Sequence, residues 1–255
     1  MLGAIAGDII GSVYESAPVK DYKAFILGPG SDFTDDTVLT AATADAVLHG
    51  RDYGCAYREW AGKYPERGYG SMFLRWAGSG SSGPSGSWGN GAAMRVSPLA
   101  RAFKTLDEVL EEAARSAAAT HNHPEASEGA RSAAAAGFLA LRGKPKDYIR
   151  DFISNNFTYE IDIPYKELKK SYTYDLSCRG TVPGALISFL ESEDYEDAVR
   201  KALSLGGDAD TLCCITGGIA EYFYGGIPDY IKEKTLKILP EEITELIKEF
   251  YRKCR

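Results

Sequence analysis

The sequence predicts an all-α protein with a single core. Three observations carry that expectation. Apolar residues recur at helical spacing from end to end of the chain, while alternating runs bounded by hairpin signals are scarce. Acids and prolines stand just ahead of several of the apolar stripes, where helix starts require them. The chain has 255 residues, 44% of them hydrophobic, which is ample for a buried core and argues against disorder. We expect one domain over residues 1–255.

The elements follow in order. The opening "MLGAIAGDIIGSVYE" is helical, with Gly3, Gly7 and Gly11 at i, i+4 and i+8 on one face. Small residues in that register predict a close helix–helix approach. Segments 37–49, 105–119, 125–142, 181–191, 194–204, 211–224 and 241–253 also read as helices. Asp107 and Glu108 suit the first turn of one. Pro240 and Glu241 suit the first turn of the last, where Ile243, Leu246, Ile247 and Phe250 form one apolar stripe. The region 151–180 is irregular and aromatic-rich, and suits the cover of a cleft. Residues 78–91, "GSGSSGPSGSWGNG", are the one low-complexity stretch. They suit either a flexible linker or a loop whose backbone N–H groups hold an anion. The stretch runs directly into "AAMRVSPLARAF", which reads as a helix with Arg95 near its start. It lacks the Lys-Ser/Thr ending of a nucleotide-triphosphate loop.

Composition excludes several functions. The formal net charge is −7, so no basic duplex-binding surface is evident. Five cysteines without a CxxC pair argue against a disulfide framework and for a reducing cytoplasm. Three histidines give little support to a histidine-built zinc site. The start lacks a basic n-region, and no run approaches the roughly 20 apolar residues of a membrane span. We expect a soluble cytoplasmic protein without a membrane partner.

Two short acidic stretches carry the chemistry. "FTDDT" (33–37) and "GGDADT" (206–211) each place two carboxylates beside threonines, directly before an apolar run. One cap needs one side chain, and each stretch supplies more than that. Asp208 and Asp210, at i and i+2, would splay apart on a helix, so they converge only if the backbone there is extended. Gly206 and Gly207 permit that. Neither stretch contains a lysine or arginine. Four carboxylates at the mouths of buried helices need a counter-charge, and carboxylate plus hydroxyl donors select a hard divalent cation such as magnesium, manganese or calcium.

With these residues in place, the chain resembles the ADP-ribosylglycohydrolase family, the group of the dinitrogenase-reductase-activating glycohydrolases and the ADP-ribosylserine hydrolases. The matching pieces are "GAIAGDIIGSVYE" (3–15), "FTDDT" (33–37), "RGYG" (67–70), "GSWGNGAAMR" (86–95), "THNHPE" (120–125) and "SLGGDADT" (204–211). The resemblance implies a compact multi-helix fold with a binuclear cleft holding two magnesium ions, with manganese as a substitute. It implies metal ligands at Thr34, Asp35, Asp36, Asp208, Asp210 and Thr211. It places Gly86, Ser87, Trp88, Gly89, Asn90 and Gly91, with Met94, around a diphosphate and distal ribose, and Gly70 and His121 in the same pocket. Glu15 matches the position of a catalytic glutamate, with Asp35 as a second candidate for the proton. The implied reaction is hydrolysis at C1″ of an ADP-ribosyl group on a protein, nucleobase or small molecule, with ADP-ribose as product. A two-metal nucleotide phosphohydrolase and a catalytically silent ADP-ribose-binding module are the alternatives.

Overall fold

The computed structural model describes residues 1–24, 26–80 and 83–254. Among them are fourteen α-helices and no strand; one isolated antiparallel bridge joins Gly89 to Ser177. The helices are α1 (Leu2–Glu15), α2 (Asp35–His49), α3 (Tyr53–Lys63), α4 (Ser71–Gly78), α5 (Ser97–Ala102), α6 (Leu106–Ala118), α7 (Pro124–Leu141), α8 (Lys146–Asn156), α9 (Tyr165–Ser171), α10 (Cys178–Leu190), α11 (Tyr195–Leu203), α12 (Ala209–Tyr224), α13 (Asp229–Ile238) and α14 (Glu241–Lys253). No described helix is long and apolar enough to cross a membrane.

At the centre lies α12, buried from Ala209 through Tyr222 and packed by α1, α7, α10 and α11. Its fit against α1 follows from the glycine register. A Cβ added at Gly11 would stand 2.3 Å from the Ala209 carbonyl oxygen, one at Gly7 2.0 Å from that of Cys213, and one at Gly3 2.5 Å from that of Gly217. Backbone therefore meets backbone along an antiparallel pair, as the three glycines predicted. The consequence reaches the site: the C-terminal Glu15 of α1 is delivered beside the N-terminus of α12.

Local signals set the boundaries. Thr105 and Glu108 form a reciprocal capping box at the start of α6: the Glu108 N–H donates to the threonine hydroxyl (3.3 Å), and the Thr105 N–H to the glutamate (2.9 Å). Gly50, at φ 62°, closes α2 in the left-handed conformation. The Ile243–Leu246–Ile247–Phe250 stripe of α14 is buried as its spacing required.

Two readings need correction. The region 151–180 is not irregular throughout, because α8 runs to Asn156 and α9 covers Tyr165–Ser171. The buried i, i+4 pair of α8, Ile149 and Ile153, straddles residue 151, so a window opened there cuts the stripe in half. Nor does a helix start at Arg95. A 3₁₀ turn at Asn90–Ala92 leads into a turn, and α5 begins only at Ser97. Pro98 forces this break: in a helix interior its ring would clash with the carbonyl four residues back, and it has no N–H to donate.

Candidate active site

Three helix ends converge on one cavity of about 370 Å³, within the range of small-molecule sites. The C-terminus of α1 brings Glu15, the N-terminus of α2 brings Asp35 and Asp36, and the N-terminus of α12 brings Asp208, Asp210 and Thr211. Both acidic N-termini point partial positive charge at these carboxylates. Asp208 is the residue before α12, with φ −69° and ψ 88°, outside helical geometry, and Gly206 turns the chain ahead of it at φ 74°. That non-helical step is what lets Asp208 and Asp210 face one point. Carboxylate oxygens of Glu15, Asp208 and Asp210 lie within 4.8 Å of one another and can hold a metal ion.

The arrangement of α2 rests on a residue that sequence reasoning left out of the site. Asp8 is fully buried in α1. It accepts hydrogen bonds from the Thr34 N–H (3.0 Å) and hydroxyl (2.7 Å), from the Thr37 N–H (3.0 Å), and from the Thr37 hydroxyl. One carboxylate thus caps α2 from another helix and fixes the Thr34 oxygen, which itself accepts from the Asp36 N–H at 3.3 Å. The clue was an ionisable residue inside an apolar helix, which must have partners if it is buried.

Electrostatics make the cluster unstable by itself. Burial and the neighbouring carboxylates raise Asp36 and Asp210 well above the usual carboxylate range; burial, then Asp8 and Glu15, do the same to Asp35. Glu15 and Asp208 are raised as well, chiefly by burial. Two full charges 4.8 Å apart repel by about 3.5 kcal/mol at an effective dielectric near 20, so the group must hold protons or a cation. The donor set fits a hard cation: carboxylates and threonine hydroxyls, no thiol or imidazole among them, and one buried oxygen, Asp36 Oδ2, without a hydrogen-bond partner.

The other end of the cavity is the Gly/Ser loop. Ser85, Ser87, Trp88, Gly89, Asn90, Gly91 and Met94 line it, while Gly86 turns the chain between them at φ 75°. The loop is pinned rather than loose. The Ser85 N–H donates to the Thr120 carbonyl (2.9 Å), the Asn90 N–H to that of Leu176 (2.8 Å), and the Cys178 N–H to that of Trp88 (3.0 Å). The Asn90 side chain joins the two ends, donating to Asp208 at 2.6 Å and to the Thr181 hydroxyl at 3.0 Å. Gly70, the residue before α4, and His121 also line the cavity. Of the residues assigned to the site from the sequence, Thr34 and Gly86 stand behind the lining. Tyr174, Leu176, Thr120 and Arg95 line it without having been assigned there. Trp88, Tyr174 and Leu176 are about half exposed and form an apolar rim.

Comparison with known proteins now identifies the group. The profile of the ADP-ribosylglycohydrolase family matches residues 1–255. The chain belongs to the ADP-ribosylglycohydrolase family. It is 28% identical to the zebrafish (Danio rerio) protein named ADP-ribosylhydrolase ARH3, over 88% of this chain and 81% of that one. It is 25% identical to human ADP-ribosylhydrolase ARH3, over 88% and 84%. An ADP-ribosylarginine hydrolase, Tri1 of Pseudomonas putida (strain GB-1), is 24% identical over 92% and 72%. A solved structure titled "ADP-ribosylglycohydrolase-related protein complex" superposes with a TM-score of 0.73 at 27% identity, covering 100% of this chain and 97% of the other. In this ADP-ribosylglycohydrolase the acidic cluster, the pinned loop and the apolar rim share one cavity.

Proposed function

We propose that this ADP-ribosylglycohydrolase hydrolyses the glycosidic bond at C1″ of ADP-ribosyl conjugates and releases ADP-ribose. One observation carries the reading: a single cavity has a carboxylate cluster at one end and a backbone-rich glycine loop at the other, joined by Asn90. A ribose bearing vicinal hydroxyls suits the first end, and a diphosphate suits the second.

Thr34, Asp35, Asp36, Asp208, Asp210 and Thr211 would hold two divalent cations, with magnesium the best fit and manganese a substitute. When bound, such ions would offset the carboxylate repulsion and polarise the ribose hydroxyls and a water. The chain's own groups do the rest. Ser87–Gly91 and Met94 hold the diphosphate and distal ribose, Gly86 turns the chain behind them, and Trp88 at the mouth offers a flat face for stacking a planar base. Gly70 lines the same cavity, and His121 lies against the loop at Gly89 and Gly91. Hydrolysis at C1″ passes through an oxocarbenium-like state, so the attacking water must lose a proton as the leaving group gains one. Glu15, half-buried beside Asp208 and raised by burial above its ordinary value, accepts that proton, with Asp35, itself raised in part by Glu15, as the second candidate. The leaving group is an amino-acid side chain, a nucleobase or a small molecule. Five free cysteines suit a reducing compartment such as the cytoplasm.

The test is product analysis. Arginine-, serine- and base-linked ADP-ribose conjugates are incubated with the enzyme and magnesium. Free ADP-ribose with an intact diphosphate is the expected product. AMP would replace this reading with phosphohydrolysis, and binding without turnover would leave a silent module.

A further inference from the structure

Arg95 is fully buried, yet only one of its guanidinium nitrogens is satisfied. Nη2 donates to the Ser116 carbonyl and to the Thr120 hydroxyl, both at 2.7 Å. Nε and Nη1 have no hydrogen-bond partner, and the guanidinium lies over the Tyr57 ring, 4.1 Å from its centroid. No carboxylate pairs with it among the described residues. A buried charge left in this state is costly to the fold. Arg95 lines the cavity, and among the described lining residues it is the one arginine or lysine.

Thr120 links Arg95 to His121. Its hydroxyl oxygen accepts from Arg95 and lies 2.6 Å from His121 Nδ1. A hydroxyl has one hydrogen, and the acceptor within reach is Nδ1. His121 Nδ1 is then unprotonated, so the proton of the neutral ring sits on Nε2. Nε2 faces the loop: Cβ atoms added at Gly91 and Gly89 would lie 3.6 and 3.7 Å from it. Burial, reinforced by Arg95, pushes His121 down to about 3, which keeps the ring neutral. The same Thr120 also anchors the loop, its carbonyl accepting from the Ser85 N–H and hydroxyl.

We propose that Arg95 and Thr120 form a buried relay that fixes His121 as an Nε2–H donor at the loop end of the cavity. Arg95 supplies fixed positive charge behind the loop, and Thr120 locks His121 as an Nε2–H donor toward a diphosphate. Arg95 and Thr120 are positioning residues, and the ligand class is a nucleoside diphosphate. The inference rests on the proposed function for its substrate, but not for its test, which reads binding.

Affinities for ADP-ribose, ADP and adenosine are measured by calorimetry on wild type, Arg95→Met and Thr120→Val. Both variants should weaken the two diphosphate ligands by about tenfold or more, the scale of one charge-assisted hydrogen bond, and leave adenosine within threefold. Equal weakening of all three ligands would show a purely structural role and overturn the relay. Should Arg95→Met not fold, Thr120→Val decides, because it keeps both Arg95 and His121. Nitrogen NMR of the His121 ring gives an independent reading. The Nε2–H form should dominate in wild type and give way to a mixture in Thr120→Val; an Nδ1–H ring in wild type would overturn the proposal. ADP binding that depends on Arg95 in a protein that releases no ADP-ribose would retain the relay and reject the hydrolase reading. Turnover with unaltered diphosphate preference in both variants would do the reverse.

Discussion

The two ends of the cavity solve opposite problems. At one end, carboxylates from three helix termini are forced together by the glycine-lined approach of α1 to α12 and by Asp8 gripping Thr34 and Thr37. At the other, a loop rich in glycine and serine is held open by backbone hydrogen bonds to Thr120, Leu176 and Cys178. The first end concentrates negative charge and needs a cation; the second, under the proposed function, takes an anion. Damage should therefore differ in kind: loss of chemistry at the carboxylates, loss of affinity at the loop.

The largest effect is expected at Asp210. Asp210→Ala removes a carboxylate from the group of three that can hold an ion, and magnesium-dependent hydrolysis should fall to background while circular dichroism stays helical. Activity near wild type would show that the cluster is not the reacting end. Next comes Glu15→Gln, which keeps size but cannot take a proton; kcat should drop by roughly 10²–10⁴. Metal affinity measured alongside sharpens the assignment. A proton acceptor leaves it within about tenfold, and a larger fall would make Glu15 a ligand beside Asp208 and Asp210.

How far the sequence displayed these ends differs too. The carboxylate end was legible because its signal is local: acids and threonines at fixed offsets before apolar runs. The glycine register of α1 was legible for the same reason. The support behind each end was not. Asp8 acts across a separation of 26 residues on Thr34 and 29 on Thr37, and Thr120 acts on Arg95 across 25. Nothing in the spacing of either pair announces the contact. Tyr174 and Leu176 were lost inside an aromatic-rich stretch whose cavity-facing side is set only by tertiary packing. Arg95 was misplaced because the helical pattern around it was followed across Pro98.

Asp8→Asn tests that hidden support. It cannot touch a bound ion if Asp8 only orients Thr34, yet it weakens the hydrogen bonds that fix the α2 terminus. Metal affinity should fall by about 10–100-fold, the usual consequence of losing such an outer partner; unchanged affinity would show that α2 holds its shape without it. The smallest effect is expected at the loop. In Gly89→Val the Cβ would sit 3.1 Å from the Ser87 hydroxyl oxygen and the branched side chain would narrow the approach to the backbone. ADP-ribose affinity should weaken by about tenfold with metal binding intact, and equal affinity would return the stretch to a plain surface loop.

The central claim is that crowded carboxylates exist to hold cations. Its sign follows from the direction of the shifts. Asp35, Asp36 and Asp210 are raised in the folded chain, so metal-free stability from them is present at low pH and lost as pH rises through their folded values. A cation must then displace protons from the site on binding. Calorimetric titration of manganese into the metal-free protein at pH 6 and pH 8, in buffers of different ionisation enthalpy, measures this directly. The account predicts saturable binding of two ions per chain, with more protons released at pH 6 than at pH 8. Absence of saturable binding, or binding with no proton release at either pH, would contradict it.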